Sequence, residues 1–304
     1  MNSIPIFLAS DNNYAPFVAS TIASICDNTD SFVNVYILDG GITKENQDKI
    51  LNLKGRFNNF SLEFIEIDLK KEFDSISYQN NSEYVSLSTY NRFLIPQLKP
   101  GIDKALYSDV DVIFLDDVKK MYNEDLEGFA LGAIPELYLE QSLNLSRKER
   151  LGLNDSHKYF SAGNLLLDCK KWREENILNN LLEIENKNRS NLTQADMDVL
   201  NIYFDNNNYK ILDPKYCVLD AYYDFHNIKN PVIRHYHGGF KPWHFSPNSK
   251  IEASMPNHKD FWYYLEMTDF YNEVEERTKN IVEQTNKLRE FKVSKLKKKI
   301  KYKF

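Results

Sequence analysis

Asp109 and Asp111 stand two residues apart in the run Asp-Lys-Ala-Leu-Tyr-Ser-Asp-Val-Asp-Val-Ile-Phe-Leu-Asp-Asp-Val over residues 103–118. The neighbours Ala105, Leu106, Tyr107, Val110, Val112, Ile113, Phe114 and Leu115 make an almost continuous apolar stretch, the composition of a strand buried on both faces of a parallel sheet. A period of two puts alternate side chains of an extended backbone on one face, so the spacing predicts two carboxylates aimed into one space. Like charges that close need a partner. At the carboxyl end of a buried strand, where open α/β sheets hold their ligands, they suit a hard divalent cation shared with substrate phosphates. A plain surface turn is the alternative, because Asp favours turns.

Four other stretches carry chemistry. Residues 232–243, Val-Ile-Arg-His-Tyr-His-Gly-Gly-Phe-Lys-Pro-Trp, bring an imidazole, paired glycines and a lysine together at a strand end. Imidazole ligates metals, glycines admit backbone amides near phosphate, and lysine is a point charge for a diphosphate. His237 and His244 read as ordinary loop histidines. Arg92 lies among Tyr90, Phe93, Leu94 and Ile95, where a guanidinium either pairs with an anion or snorkels to the surface. Ser161, Ala162 and Gly163 are small enough to let backbone approach a ligand. Asp196 and Asp198 would point about 200° apart on a helix, so one of them is expected to be structural.

The elements that must position these groups alternate. Residues 4–10 read as a buried strand closed by the polar turn 11–14, and 15–26 as a helix. Strands at 33–38 and 61–67 bracket a helix over 43–57 capped by Thr43. A short helix at 87–98, the strand carrying the acids, a strand at 129–134 and a polar loop or lid at 136–158 follow. A strand near 164–168, a helix from Cys169 to about Lys187 and another from Gln194, capped by Thr193, complete the set before aromatic-rich helices from Lys259 onward. The fold class is α/β, with mostly parallel pairing and right-handed crossovers. No GxGxxG or GxxxxGK[ST] motif follows any strand, which excludes the dinucleotide and P-loop solutions to phosphate binding.

Composition is that of a soluble globular chain of 304 residues, rich in Phe and Tyr at 19 each. Cys26, Cys169 and Cys217 are widely spaced with no CxxC pair, so neither a disulfide framework nor a zinc knuckle is indicated. With no cleavable leader and no apolar run of membrane-spanning length, a cytoplasmic location is expected. Residues 287–304 hold nine Lys or Arg against the single acid Glu290, whereas the rest of the chain carries a net −14. Val293, Leu296, Ile300 and Phe304 recur on one helical stripe among those lysines. That pattern predicts a peripheral helix lying on the anionic inner face of the cytoplasmic membrane, with a solubilising tail as the alternative. The acidic body argues against nucleic acid as a partner.

The stretches ASDNNYAPFVASTIASI, STYNRFLIP, YSDVDVIFLDDV, YFSAGNLLLDCKKWRE, DMDVLN and HYHGGFKPW, in this order over residues 4–245, resemble glycosyltransferase family 8, in particular its bacterial lipopolysaccharide α-galactosyl- and α-glucosyltransferases. The resemblance implies a GT-A fold with a Rossmann-like nucleotide-binding half in a catalytic domain over 1–250, followed by a helical region over 251–304. It implies a UDP-hexose donor held through Mn²⁺, with Mg²⁺ as the alternative ion. Ala9, Asp11, Asn13 and Tyr14 then fall at the uridine. Asp109, Asp111 and His235 fall at the metal, with Val110 in the same donor-binding set. Gly238 and Lys241 fall at the diphosphate, and Ala162, Gly163 and Asp196 at the donor sugar. Arg92 matches an arginine that contacts donor and carboxylates.

Two positions depart from close galactosyltransferase relatives: Ser161 stands where they carry Asn, and Met197 where they carry Gln. A thioether cannot offer an amide oxygen to a developing oxocarbenium ion. The resemblance therefore implies a retaining transfer of galactose or glucose to a lipid-linked or cell-surface glycan by front-face attack, with Asp196, Met197, Lys241 and Arg92 at the reacting centre. A catalytically impaired sugar-nucleotide-binding or scaffold subunit is the alternative.

Overall fold

Along β1 (Ile4–Ser10), Ile6 and Leu8 face one side of the sheet and Phe7 the other, and all three are fully buried. A strand apolar on both faces needs a helical layer on each, and the computed structural model, which describes residues 3–68, 87–136, 143–219, 228–236, 241–244 and 257–280, supplies both. In chain order β1 is followed by α1 (Ala15–Asp27), β2 (Val33–Asp39), α2 (Lys44–Leu51) and β3 (Phe60–Glu66). A 3₁₀ segment over Leu87–Leu94 runs into α3 (Ile95–Leu98). Then come β4 (Lys104–Ser108), β5 (Val112–Phe114), α4 (Lys119–Tyr122), β6 (Leu131–Pro135), α5 (Leu143–Leu151) and β7 (Phe160–Asp168). The remaining elements are α6 (Cys169–Glu174), α7 (Ile177–Asn188), α8 (Asp196–Tyr203), β8 (Lys210–Ile211), β9 (Val218–Leu219), β10 (Ile233–His235), α9 (His258–Leu265) and a helix over 271–280.

The main sheet has the order β3-β2-β1-β4-β7-β6-β8. Its first four strands pair in parallel, as alternating strands and helices require, whereas β7 runs antiparallel to both β4 and β6. A small second sheet, β5-β10-β9, stands beside it. One core lies under α1 and holds Phe17, Ile22, Val35 and Ile113; the other, on the opposite face, holds Tyr90, Leu131, Leu165, Trp172 and Val199. Each fully buried side chain of this size contributes roughly 1.5–3 kcal/mol. The aromatic helix α9 joins the first core: Phe261 lies 5.2 Å from the ring of Trp243, which stacks on Phe17 at 3.8 Å.

The structure corrects the sequence reading in four places. The apolar run around the acids is two strands in two sheets, with Asp109–Asp111 at the crossing. Asp109 N still donates to Gly163 O at 2.7 Å, but beyond it the Thr21 hydroxyl of α1 lies 3.1 and 2.9 Å from the carbonyls of Val110 and Val112, and Tyr236 N donates to Asp111 O at 2.9 Å. The expected loop at 136–158 contains helix α5, held by ion pairs of Arg147 with Glu136 and Arg150 with Asp198. The single helix expected from Cys169 is broken at Asn176, which sits at φ 53° between α6 and α7. Thr193 is not the cap of the next helix, which begins at Asp196 after Ala195 at φ 45°. Thr43 does cap α2, although the helix gives way to a 3₁₀ turn at Asn52–Gly55. Among the described residues no helix is long and apolar enough to cross a membrane, and the basic segment 287–304 lies outside them.

Candidate functional site

Parallel strands β1 and β4 end side by side, and the polar groups gather at their carboxyl ends. After β1, Asp11 accepts from the backbone N–H of Asn13 at 2.9 Å and of Tyr14 at 3.2 Å, which folds the turn into α1. Asn12 Oδ1 accepts from Thr43 N and Asn46 Nδ2, both at 2.9 Å, tying this turn to the start of α2. Tyr14 sets its ring edge-on to Trp243 at 6.2 Å and to Phe17 at 5.1 Å. Ala9, Asp11, Asn13 and Tyr14 thus lie at the carboxyl end of β1 and in the turn that follows it, Ala9 packing on the second core and Tyr14 on the first.

Beyond β4 the two acids meet groups from elsewhere. Asp109 Oδ1 accepts from Tyr107 OH at 2.9 Å and Arg92 Nη2 at 3.2 Å. His235, registered opposite Val112 on β10, brings Nε2 within 3.1 Å of Asp111 Oδ1, and Lys241 Nζ pairs with Asp111 Oδ2. Burial raises the pKa of both carboxyls. At Asp109 burial prevails over Arg92 and the pKa stays raised, while at Asp111 Lys241 and His235 outweigh it and hold the carboxyl well below the usual range. His235 rises well above an ordinary histidine: burial lowers it, but the Asp111 carboxylate overrides burial.

Arg92 is the hub on the other side. Its guanidinium donates to the carbonyl oxygens of Thr89, at 2.9 Å, and Ala162, stacks 4.4 Å from the centre of the Tyr107 ring, and places Nε 3.0 Å from Asp196 Oδ2. Burial pushes the Asp196 carboxyl up to about 6, opposed by Arg92 and reinforced by Asp109. Asp198 turns the other way. It accepts from Thr193 N at 2.7 Å, Gln194 N at 2.9 Å, Tyr159 OH at 2.6 Å and both Nη atoms of Arg150 at 3.2 Å. These bonds hold the backbone that carries Ala195 at φ 45° and ψ −119°, a conformation that residues with a Cβ rarely adopt and that costs about 1–3 kcal/mol, so that Asp196 meets Arg92. Met197, half-buried beside Asp196, packs against the core containing Val199 and Leu200.

One ligand atom from each of Asp109, Asp111 and His235 lies within 4.8 Å of the others. Two carboxylate oxygens and one imidazole nitrogen suit Mn²⁺ or Mg²⁺ rather than a thiolate-seeking metal. Gly163 makes room for this cluster: a Cβ there would sit 2.8 Å from His235 Cε1 and 2.9 Å from Asp109 Oδ2. The chain therefore fits a divalent cation at this place.

The structure brings together Arg92, Asp109, Val110, Asp111, Ala162, Gly163, Asp196, His235 and Lys241. Gly238 and His237 lie outside the described residues, and Gly163 N donates to Ser161 Oγ at 3.3 Å. Sequence reasoning passed over Thr21, Tyr107 and Cys217, whose Sγ lies 3.7 Å from His235 Nδ1. A hydroxyl in the middle of the apolar helix Ala-Pro-Phe-Val-Ala-Ser-Thr-Ile was the available signal for Thr21; for Cys217 there was none.

Comparison with known proteins gives one consistent picture. Residues 5–246 match the family model described as glycosyl transferase family 8. A putative glycosyltransferase of Haemophilus influenzae is 33% identical over 248 residues, 79% of this chain and 72% of its own length. Glycosyltransferase GlyF of Streptococcus pneumoniae is 28% identical over 86% of this chain and 61% of its own. Among solved structures, the galactosyltransferase LgtC in complex with donor and acceptor sugar analogues superposes with a TM-score of 0.76 at 24% identity, covering 88% of this chain and 96% of that one, which shows the same fold.

Proposed function

The chain belongs to glycosyl transferase family 8, and from that premise we propose that it transfers a hexose, galactose or glucose, from a UDP-sugar to a cell-surface glycan or lipid-linked acceptor with retention of configuration, dependent on Mn²⁺. The observation that carries this reading is the convergence of Asp109, Asp111 and His235 around the space kept open by Gly163, with Lys241 beside it. A divalent cation bound there supplies Lewis-acid stabilisation of a departing diphosphate.

The side chains divide the work around it. Lys241 donates to the phosphate oxygen on which charge develops as the anomeric bond breaks. Arg92 holds Asp109 and Asp196 in place, and Asp196 accepts hydrogen bonds from donor-sugar hydroxyls. The backbone at Ala162 and Gly163, with no bulk beyond a methyl group, lets the sugar lie close. Ala9, Asp11, Asn13 and Tyr14 receive the uridine, and Gly238 completes the diphosphate contacts. The acceptor hydroxyl attacks on the face the phosphate leaves and gives its proton to the departing phosphate oxygen, so no enzymic nucleophile is needed. Met197 supports that route, since a thioether packed against the core is a poor base or nucleophile toward the anomeric carbon.

We assign the catalytic work to residues 1–250, the helical extension to 251–304 and contact with an anionic membrane face to 287–304. The test is UDP release from a panel of UDP-hexoses with and without Mn²⁺. Turnover of UDP-galactose or UDP-glucose that stops on chelation is expected. Tight UDP binding with no turnover of any donor, even with glycan acceptors present, would favour the impaired or scaffold reading prompted by Met197.

A further inference from the structure

The cations that neutralise the two metal-facing aspartates are held in different ways. Arg92 is fixed by the carbonyls of Thr89 and Ala162, by Asp196 and by the Tyr107 ring, so it cannot move away from Asp109 without breaking those contacts. Lys241 has a point charge on a flexible stem; its ammonium pairs with Asp111 Oδ2 and otherwise lies over the Trp243 ring at 5.3 Å. Asp111 Oδ1 already faces His235 Nε2 at 3.1 Å. Both oxygens of Asp111 are thus engaged, one of them by a full positive charge inside the cluster where a divalent cation would bind.

We propose that Lys241 competes with the divalent cation for Asp111 and is drawn off by the diphosphate of the donor, so that this side chain adds to the cooperativity between cation and nucleotide beyond what direct phosphate–cation contact gives. The inference rests on the donor reading above and adds a coupling to it. A cation entering beside an ammonium on the same carboxylate meets repulsion that the low-dielectric surroundings strengthen. A nucleoside diphosphate removes it by giving the ammonium two phosphate groups to bind instead. Because coupling is reciprocal, the cation must tighten the nucleotide by the same factor, and ordinary site–site couplings are about 5–150-fold. Lys241 then has two opposed effects: it weakens the cation in the protein alone and strengthens the nucleotide once the cation is present.

The test is calorimetric titration of Mn²⁺ into the full chain, with and without saturating UDP, for wild type, Lys241→Met and Lys241→Gln, with thermal melts to confirm folding. In wild type UDP should tighten Mn²⁺ by at least about 5-fold. In Lys241→Met without UDP, Mn²⁺ should bind about 10-fold tighter than in wild type, the factor by which UDP tightens it should shrink, leaving only the coupling from phosphate oxygens that ligate the ion directly, and UDP should bind more weakly in the presence of Mn²⁺. Lys241→Gln, which keeps a hydrogen-bond donor without the charge, should behave the same way and serves if the Met variant does not fold. Unchanged or weaker Mn²⁺ binding in the folded variants without UDP would overturn the proposed competition while leaving the donor reading intact. Failure of wild type to bind Mn²⁺ even with UDP would instead overturn the donor reading, and this inference with it.

Discussion

Asp109-Val110-Asp111 and Asp196-Met197-Asp198 have the same spacing of acids, and the fold uses them in opposite ways. The first pair lies where the chain leaves one sheet for another, in non-helical backbone, and both carboxylates converge on His235. The second opens helix α8, where a separation of two turns side chains to nearly opposite sides. Asp196 reaches Arg92 and the site, while Asp198 faces back to bind Thr193, Gln194, Tyr159 and Arg150. Backbone conformation, rather than spacing, decides whether such a pair acts on one ligand. Three of these acids serve the site, and the fourth builds the strained turn that aims one of them.

That division can be broken experimentally. The largest effect is expected from Asp111→Asn, which removes charge from the cluster and takes the carboxylate from the buried Lys241: Mn²⁺-dependent UDP release should fall by about 10³-fold or more, and the thermal melt should also drop. Asp198→Ala should act on stability first and on activity through it. Loss of a buried carboxylate that accepts from two backbone amides, a phenol and a guanidinium costs about 3–5 kcal/mol, read as a lowered denaturant midpoint, and activity is lost through the misplaced Asp196.

Asp196 itself offers a pH signature. Its carboxyl titrates near 6 in the fold against about 3.9 in an unfolded chain, so the native state holds the proton more tightly. The group therefore favours folding below about pH 4, and this contribution, roughly 2–3 kcal/mol, is lost as pH rises through 6. Asp196→Asn should flatten that part of the stability–pH curve measured by urea melts; an unchanged slope would mean that burial does not hold the Asp196 carboxyl up in the fold. The smallest effect belongs to Gly163→Ala. With no unusual backbone angle at Gly163, the stability cost should be only that of crowding, about 1–3 kcal/mol, whereas the added Cβ, 2.8 Å from His235 Cε1, should weaken Mn²⁺ binding by about 10–100-fold.

The sheet's parallel half was readable because its signals are local: β1, β2 and β3 are apolar runs separated by helices with a recognisable cap at Thr43. The residues that meet at the site were readable too, since the six stretches carrying them resemble a known family in order. What escaped depends on distant partners. Nothing within residues 103–118 reveals that Thr21 and Tyr236 take the carbonyls around the acids and split the run between two sheets. Helix α5 was hidden because its anchors, Glu136 and Asp198, lie on other elements. Sequence showed that either Asp196 or Asp198 had to be structural, but only the position of Arg92 determines which one.

A crystal of the protein soaked with UDP and Mn²⁺, with anomalous scattering recorded at the manganese edge, tests the central claim most directly. A single peak bonded to carboxylate oxygens of Asp109 and Asp111 and to His235 Nε2, with UDP phosphate oxygens completing the shell, is the predicted result. Bound UDP with no manganese among these three side chains would contradict it.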